Sequence, residues 1–310
     1  MNMSSKIKEN LKKNPVIAPV HKTWKKAEHW MLRELSGIAP KFVSRVHYER
    51  TFGKKLDLEN PKTLNEKSMW LKLYKYADDP VVMQCSDKYA VREFVEKCGL
   101  SHILNELYGA WDRVEDVPWD TFPDRFAIKC NHGCGQNLIC TDKSKFDVKK
   151  AEEQLRVCLI DSYWIEYAEI QYRKIKRKII CEKYLEGKGD ALPVDYKFYC
   201  INGEPVYIGN FIERNIEKDS LIRGYFDINW QPSTLFRFET EAEKFPRPEC
   251  LEEMIEYSRI LSKPFPFVRV DFYEVDGKVY FGELTFTPSG CLGTYYTDEA
   301  ELELGEALHV

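Results

Sequence analysis

No apolar run in the sequence approaches the roughly 20 residues that a membrane-spanning helix needs. There is no internal repeat and no low-complexity tract, which excludes solenoid and linker-like architectures. The ten cysteines include no CxxC pair and are scattered through a chain too large to depend on staples. Reduced thiols are therefore expected rather than a disulfide framework. A Walker A loop and a GxGxxG fingerprint are both missing. Met1 to Lys13 is polar and lysine-rich without an apolar core, so no secretory signal is expected and the chain is assigned to the cytoplasm. The net charge of −4 gives no general electrostatic footprint for nucleic acid.

What the chain does have is the balance of a soluble globular protein, with 44% hydrophobic and 31% charged residues over 310 positions, enough for two or three domains. Charge is uneven. Residues 1–50 hold 11 Lys+Arg against 4 Asp+Glu, a local excess of +7. Trp24, Trp30, Met31 and Leu35 accompany these basic residues in an expected amphipathic helix. Two readings fit it: docking at an anionic membrane surface, or an ordinary helix packed on the body with a solvated basic face.

From Pro61 to Gly99 the pattern is helical, with Thr63 and Glu66 in capping-box spacing and Met69, Trp70, Leu73 and Tyr74 recurring at helical period. Ser86 or Asp87 starts a further helix, and Gly99 stops it. Residues 124–130 read as a strand running into the glycine-bearing loop His132-Gly133-Cys134-Gly135-Gln136-Asn137, followed by a strand at 138–140. A long charged helix is expected from Val148 to about Tyr172, then a strand from Lys178 to Leu185 and a hinge at 187–190. Asn202-Gly203 and Asp276-Gly277 mark two hairpins, with a helix from Cys250 to Leu261 between them. The stretch from Phe211 to Pro246 contains no readable motif.

The last hairpin is the sharpest chemical signal. Arg269 and Asp271 share one face of a strand, and Glu283 and Thr285 share one face of its partner. Together they suit Mg²⁺, a hard cation that takes oxygen ligands and is usually shared with phosphate. Cross-strand ion pairs on a solvent-facing hairpin explain the same residues equally well. Gly133 and Gly135 offer close backbone approach to a phosphate, with Lys129 adding charge from the preceding strand, although a Gly-x-Gly hairpin is more often only a turn. Cys130, His132, Cys134 and Cys140 match zinc spacing poorly. A contact from His132 to phosphate or substrate stays open.

Taken in order, these segments resemble the TupA-like ATP-grasp proteins. The resemblance rests on residues 60–67, 70–74, 87–92, 129–135, 195–198, 267–273 and 282–288, and covers roughly residue 45 to the end. It implies an α+β ATP-grasp fold, two α+β subdomains clamping ATP, behind a largely helical N-terminal region. The implied divisions are a basic extension over 1–45, a helical domain over 46–118, a lid subdomain with the glycine loop over 119–187, and a C-terminal subdomain with the Mg²⁺ and phosphate site over 188–310. It further implies that Lys88, Lys129 and Lys197 contact phosphates under the Gly133–Gly135 loop and that Glu182, Lys183, Tyr184 and Leu185 read adenine. Asp195 would hold the ribose. Arg269 would stabilise the transferring phosphoryl group, with Lys129 and His132 beside it as catalytic candidates. Asp271, Glu283 and Thr285 would hold Mg²⁺, Thr285 standing where most ATP-grasp enzymes have asparagine.

The activity this implies is ATP- and Mg²⁺-dependent ligation of a carboxylate to an amine through an acyl phosphate. The implied substrates are a uronic acid on a bacterial surface-polysaccharide precursor and an amino acid or small amine. A sugar-kinase-like phosphotransferase and a glycosyltransferase are the competing expectations.

Overall fold

The structure is a computed structural model describing residues 17–133, 137–187, 193–215 and 220–310, with side chains left out at 17–25 and 212–222. Gly135 lies outside the described residues. The chain opens with helices α1 (Ile17–Ser36) and α2 (Pro40–Phe52), joined by a tight turn. The apolar face of α1 matches the expected one only in part, with Leu35 packing beside Leu32 on the body. Leu32 is buried against Val43 and Ala168, whereas Trp30 and Met31 stay 64% and 47% exposed. The side chain of Trp24 is outside the described residues.

The segment 61–99 is helical but broken into α3 (Leu64–Trp70), a π-helical turn at Leu71–Lys75, α4 (Pro80–Ser86) and α5 (Val91–Lys97). Thr63 accepts from the Glu66 amide and Glu66 returns to the Thr63 amide, so the capping box forms. Pro80 sets a new start with Asp79 as its cap, and Asp87 accepts from the amides of Tyr89 and Ala90 to open the following turn.

A four-stranded antiparallel sheet follows, in the order β1 (Leu107–Trp111), β4 (Ile179–Lys183), β2 (Phe126–Cys130), β3 (Asn137–Cys140). Because β1 pairs with β4, this sheet begins about a dozen residues before the boundary expected at 118/119. Helix α6 (Val148–Ile160) covers it through Ala151, Leu155 and Cys158. The helix is half the expected length. Arg177 donates to the Leu159 carbonyl and to Ser162 Oγ, taking up the last turn, and the chain continues in short 3₁₀ turns.

The second sheet has five antiparallel strands in the order β7 (Ser220–Asp227), β6 (Glu204–Asn215), β5 (Asp195–Ile201), β8 (Phe267–Val275), β9 (Lys278–Thr285). Asn202 and Gly203, and Asp276 and Gly277, all have positive φ, as the two hairpin turns require. Alternation sets the layers. Val268, Val270 and Phe272 bury one face against helix α7 (Leu251–Ser262), leaving Arg269 and Asp271 on the other. Strand β7, in the stretch without a motif, extends this sheet. The terminal helix α8 (Asp298–Ala307) packs on α3 so closely that a Cβ on Gly305 would lie 2.1 Å from the Lys62 carbonyl oxygen.

Candidate active site

The charged face of the five-stranded sheet gathers residues from three parts of the chain. On β8 the Arg269 guanidinium is bidentate to Asp271, Nε to Oδ1 at 2.6 Å and Nη2 to Oδ2 at 2.7 Å, and Nη2 reaches Glu283 Oε1 at 3.2 Å. Lys197 on β5 sits directly opposite Asp271 and donates to its Oδ2 at 2.7 Å, while also pairing with Asp195. Lys88 arrives from the helical region and stands 3.0 Å from Glu283 Oε2. Thr285 Oγ1 donates to Glu283 Oε1 at 3.2 Å. Burial alone would raise the Glu283 carboxyl, but Lys88, then Arg269 and Lys197, outweigh it and hold it well below the usual carboxylate range.

A bulge is what brings Glu283 to this face. Near the Asp276-Gly277 turn the register pairs Phe272 with Phe281, which continued unbroken would set Asp271 against Gly282 and turn Glu283 toward the apolar layer. The register instead shifts between Asp271 and Phe272, so Asp271 opposes Glu283 and Arg269 opposes Thr285. Gly282 is the extra residue.

Lys88 is held by its surroundings rather than left to rotate. Its amide donates to the Asn131 carbonyl at 3.0 Å, and its Nζ donates to the Gly133 carbonyl at 2.7 Å. Asn131 is buried, donates to Asp87 at 2.8 Å and accepts from the Lys178 amide at 2.7 Å. This Asp87–Asn131 staple joins the start of the glycine loop to the helical segment that carries Lys88. Gly133 has φ +142°, a backbone conformation that L side chains rarely adopt.

Other predicted residues go elsewhere. Lys129 pairs with Glu182 at 2.8 Å, and Arg92 completes this second charged group at 3.4 Å from the same carboxylate. Arg92 carried no signal beyond standing four residues after Lys88. Lys183 has both backbone groups engaged, its amide to Glu106 at 2.9 Å and its carbonyl to Asn105 at 2.8 Å. Asp195 is drawn to Lys197 beside Asp271. His132 turns away from the charged group. Its ring is buried at the end of α6, with Nε2 3.3 Å from the Asp161 carbonyl, and burial followed by the Arg177 charge keeps it neutral.

The donor set fits Mg²⁺ shared with phosphate. Asp271 and Glu283 supply hard oxygens, three cations surround them, and Asp195 Oδ1 is buried without a hydrogen-bond partner among the described residues. Among the described residues there is no group of three or more His, Cys, Asp or Glu that would hold an ion alone. No helix among them is long and apolar enough to cross a membrane.

A family model described as TupA-like ATP-grasp matches residues 66–309. No curated protein matches the chain. Solved structures with a similar fold include a D-alanine–D-alanine ligase from Bacillus anthracis complexed with ATP, at 16% identity and TM-score 0.40, over 66% of this chain and 57% of that one. The chain thus spans less than two thirds of that ligase. A D-alanine–D-alanine ligase from Helicobacter pylori aligns at 14% identity and TM-score 0.44 over 79% and 69%. The D-cycloserine synthetase DcsG aligns at 12% identity and TM-score 0.44 over 74% and 71%.

Proposed function

The chain belongs to the TupA-like ATP-grasp family, and on that premise we propose that it is an ATP- and Mg²⁺-dependent ligase joining a carboxylate to an amine. The observation that carries this reading is the meeting of Asp271, Glu283, Arg269, Lys197 and Lys88 on one sheet face, two carboxylates among three cations. Such a group suits phosphoryl transfer, in which catalysis is positioning and charge neutralisation rather than covalent work by the protein. Cys200 and Cys291 are poor nucleophiles here, since burial pushes their thiols up to about 12.

Direct condensation of a carboxylate with an amine is unfavourable in neutral water because both groups must give up their charges. Transfer of the γ-phosphoryl group to the carboxylate gives an acyl phosphate and ADP. Attack by the neutral amine then expels inorganic phosphate, and the amine proton leaves with it or with solvent. Bound Mg²⁺ supplies Lewis-acid neutralisation of the phosphates, and Asp271 and Glu283 are the residues that would hold it. Arg269 and Lys88 carry the positive charge nearest the transferring group, and Lys197 holds Asp271 in place. Lys129 adds charge from the four-stranded sheet under the glycine loop. The substrate class we favour is a uronic acid of a bacterial surface-polysaccharide precursor, with an amino acid or small amine as acceptor.

The test is a screen of uronic acids against amines with ATP and Mg²⁺, reading ADP and product mass. The proposal expects ADP only when acid and amine are both present, and a product lighter than their sum by one water. A stable phosphate ester formed without amine would make the protein a kinase instead.

A further inference from the structure

The sheet face that carries Asp271 continues past Lys197 into an aromatic wall. Lys197 pairs in register with Gly209 and Asp195 with Phe211; across the next ladder Gly209 meets Tyr225 and Phe211 meets Arg223. Residues directly opposite share a face, so all of these belong to the surface that holds the charged group. Gly209 gives the rings room to lie down. A Cβ there would meet Tyr225 at 3.0 Å and Tyr199 at 3.4 Å.

Phe236 stacks on Tyr225 with centroids 3.8 Å apart, and Phe238, Tyr295 and Phe211 surround it at 5.5, 5.9 and 6.2 Å. Two loops are bound together to complete this arrangement. Arg237 donates its amide to the Tyr295 carbonyl and Thr297 its amide to the Leu235 carbonyl, both at 2.9 Å, and the hydroxyls of Tyr207 and Tyr296 meet. The wall is continuous with the site. Lys197 Nζ lies 5.6 Å from the Phe211 ring centroid, and the Arg269 guanidinium 6.0 Å from that of Tyr199.

Core packing accounts for Tyr207, Tyr225 and Phe236, which are buried. It does not account for the open edge, where Phe211, Phe238 and Tyr295 are only half-buried and Arg223 is exposed. No ion pair to Arg223 is found among the described residues. Half-open rings beside a guanidinium with no ion pair among the described residues, next to a phosphate-type site, suit a ligand with one flat C–H-rich face and one anionic group.

We propose that this wall is the site of a sugar ring carrying an anionic group, the ring stacking on Phe211, Phe238 and Tyr295 and the anion pairing with Arg223. The inference rests on the ligase reading and locates where its substrate sits and which residues select it. An aliphatic amino acid has no ring face to use the wall, and a neutral sugar leaves Arg223 unpaired.

The test uses the full chain with methyl β-D-glucuronide and methyl β-D-glucoside as probes, followed by saturation-transfer NMR, beside a calorimetric titration with MgADP. The wall predicts saturation of the glucuronide ring protons, binding of the glucoside at least tenfold weaker, and a similar loss for the glucuronide in Arg223→Met that Arg223→Lys partly recovers. Phe238→Ala should weaken both sugars. Equal binding of the two sugars, an Arg223→Met protein that binds the glucuronide unchanged, or a protein that binds MgADP and neither sugar would overturn the proposal. The nucleotide titration separates the two ideas, since a chain that binds the glucuronide but no adenine nucleotide contradicts the ligase reading and not the wall.

Discussion

A Cβ built on Gly282 would stand 2.9 Å from the carbonyl oxygen of Asp271. That contact is closer than side chains tolerate, and backbone rather than a movable side-chain end is on its other side. Gly282 is therefore the residue that lets the β8–β9 register slip by one and sets Glu283 opposite Asp271. Gly282→Ala is predicted to cost about 1–3 kcal/mol of stability, the usual range for overpacking. It should weaken Mg²⁺-nucleotide binding more than Mg²⁺-free binding, because Glu283 is displaced from its face. Chemical denaturation and calorimetry on one preparation check both.

Lys88 links Glu283 to the Gly133 carbonyl. The Glu283 carboxyl is held below its ordinary pKa, so the stability it contributes is present above the usual carboxylate range and is lost as pH falls through its lowered value. Lys88→Met removes the first of the cations responsible. The variant should therefore show a smaller loss of stability on acidification below about pH 4.5 than the parent, together with nucleotide binding weakened about tenfold or more. Melting temperature against pH, compared for the two proteins, is the measurement.

Thr285 occupies the position beside the metal carboxylate, and its hydroxyl donates to Glu283. Thr285→Val keeps the shape and removes that hydrogen bond, which is worth about 1 kcal/mol. The expected result is a Mg²⁺ requirement raised roughly fivefold, the factor that 1 kcal/mol gives, with the fold intact. Glu283→Gln, by contrast, should abolish Mg²⁺-dependent binding.

Glu301 on α8 accepts from the Asn65 amide at 3.1 Å and also from the Asn65 side chain, tying the terminal helix to α3. Burial raises its carboxyl to about 7. A raised carboxyl binds its proton more tightly in the folded state, so this contribution to stability is complete below the unfolded pKa near 4.5 and disappears as pH rises through about 7. Glu301→Gln should flatten that part of the stability profile between pH 5 and 8. A parent protein with no such decline, or a variant that keeps it, would contradict the assignment.

Much of this arrangement is legible in the residues. Strand alternation at 267–273, the Asp276-Gly277 turn and the Thr63–Glu66 cap depend on neighbours within a few positions, and local chemistry decides them. The bulge at Gly282 is different, because only the approach of the Asp271 backbone gives that glycine its meaning. The early end of α6 depends on Arg177, seventeen residues beyond Ile160, and the placement of β1 on β4 on 67 residues of intervening chain. His132 lies against Asp161 and Arg177, and Lys197 ties Asp195 to Asp271, partners that come from segments far away in sequence. The motif at residues 60–67 has a structural employment. Asn65 holds the Gly293 carbonyl at 2.8 Å and the Glu301 carboxylate, and Lys67 holds the Leu308 carbonyl at 2.8 Å.

The central claim is that the face carrying Asp271 and Glu283 binds ATP with Mg²⁺. The most direct measurement is calorimetric titration with a non-hydrolysable ATP analogue, with and without Mg²⁺, of the parent protein and an Asp271→Asn/Glu283→Gln double variant. The account predicts Mg²⁺-dependent binding in the parent and loss of that dependence in the variant. A folded parent that binds no adenine nucleotide, or a double variant that binds with undiminished Mg²⁺ dependence, would contradict it.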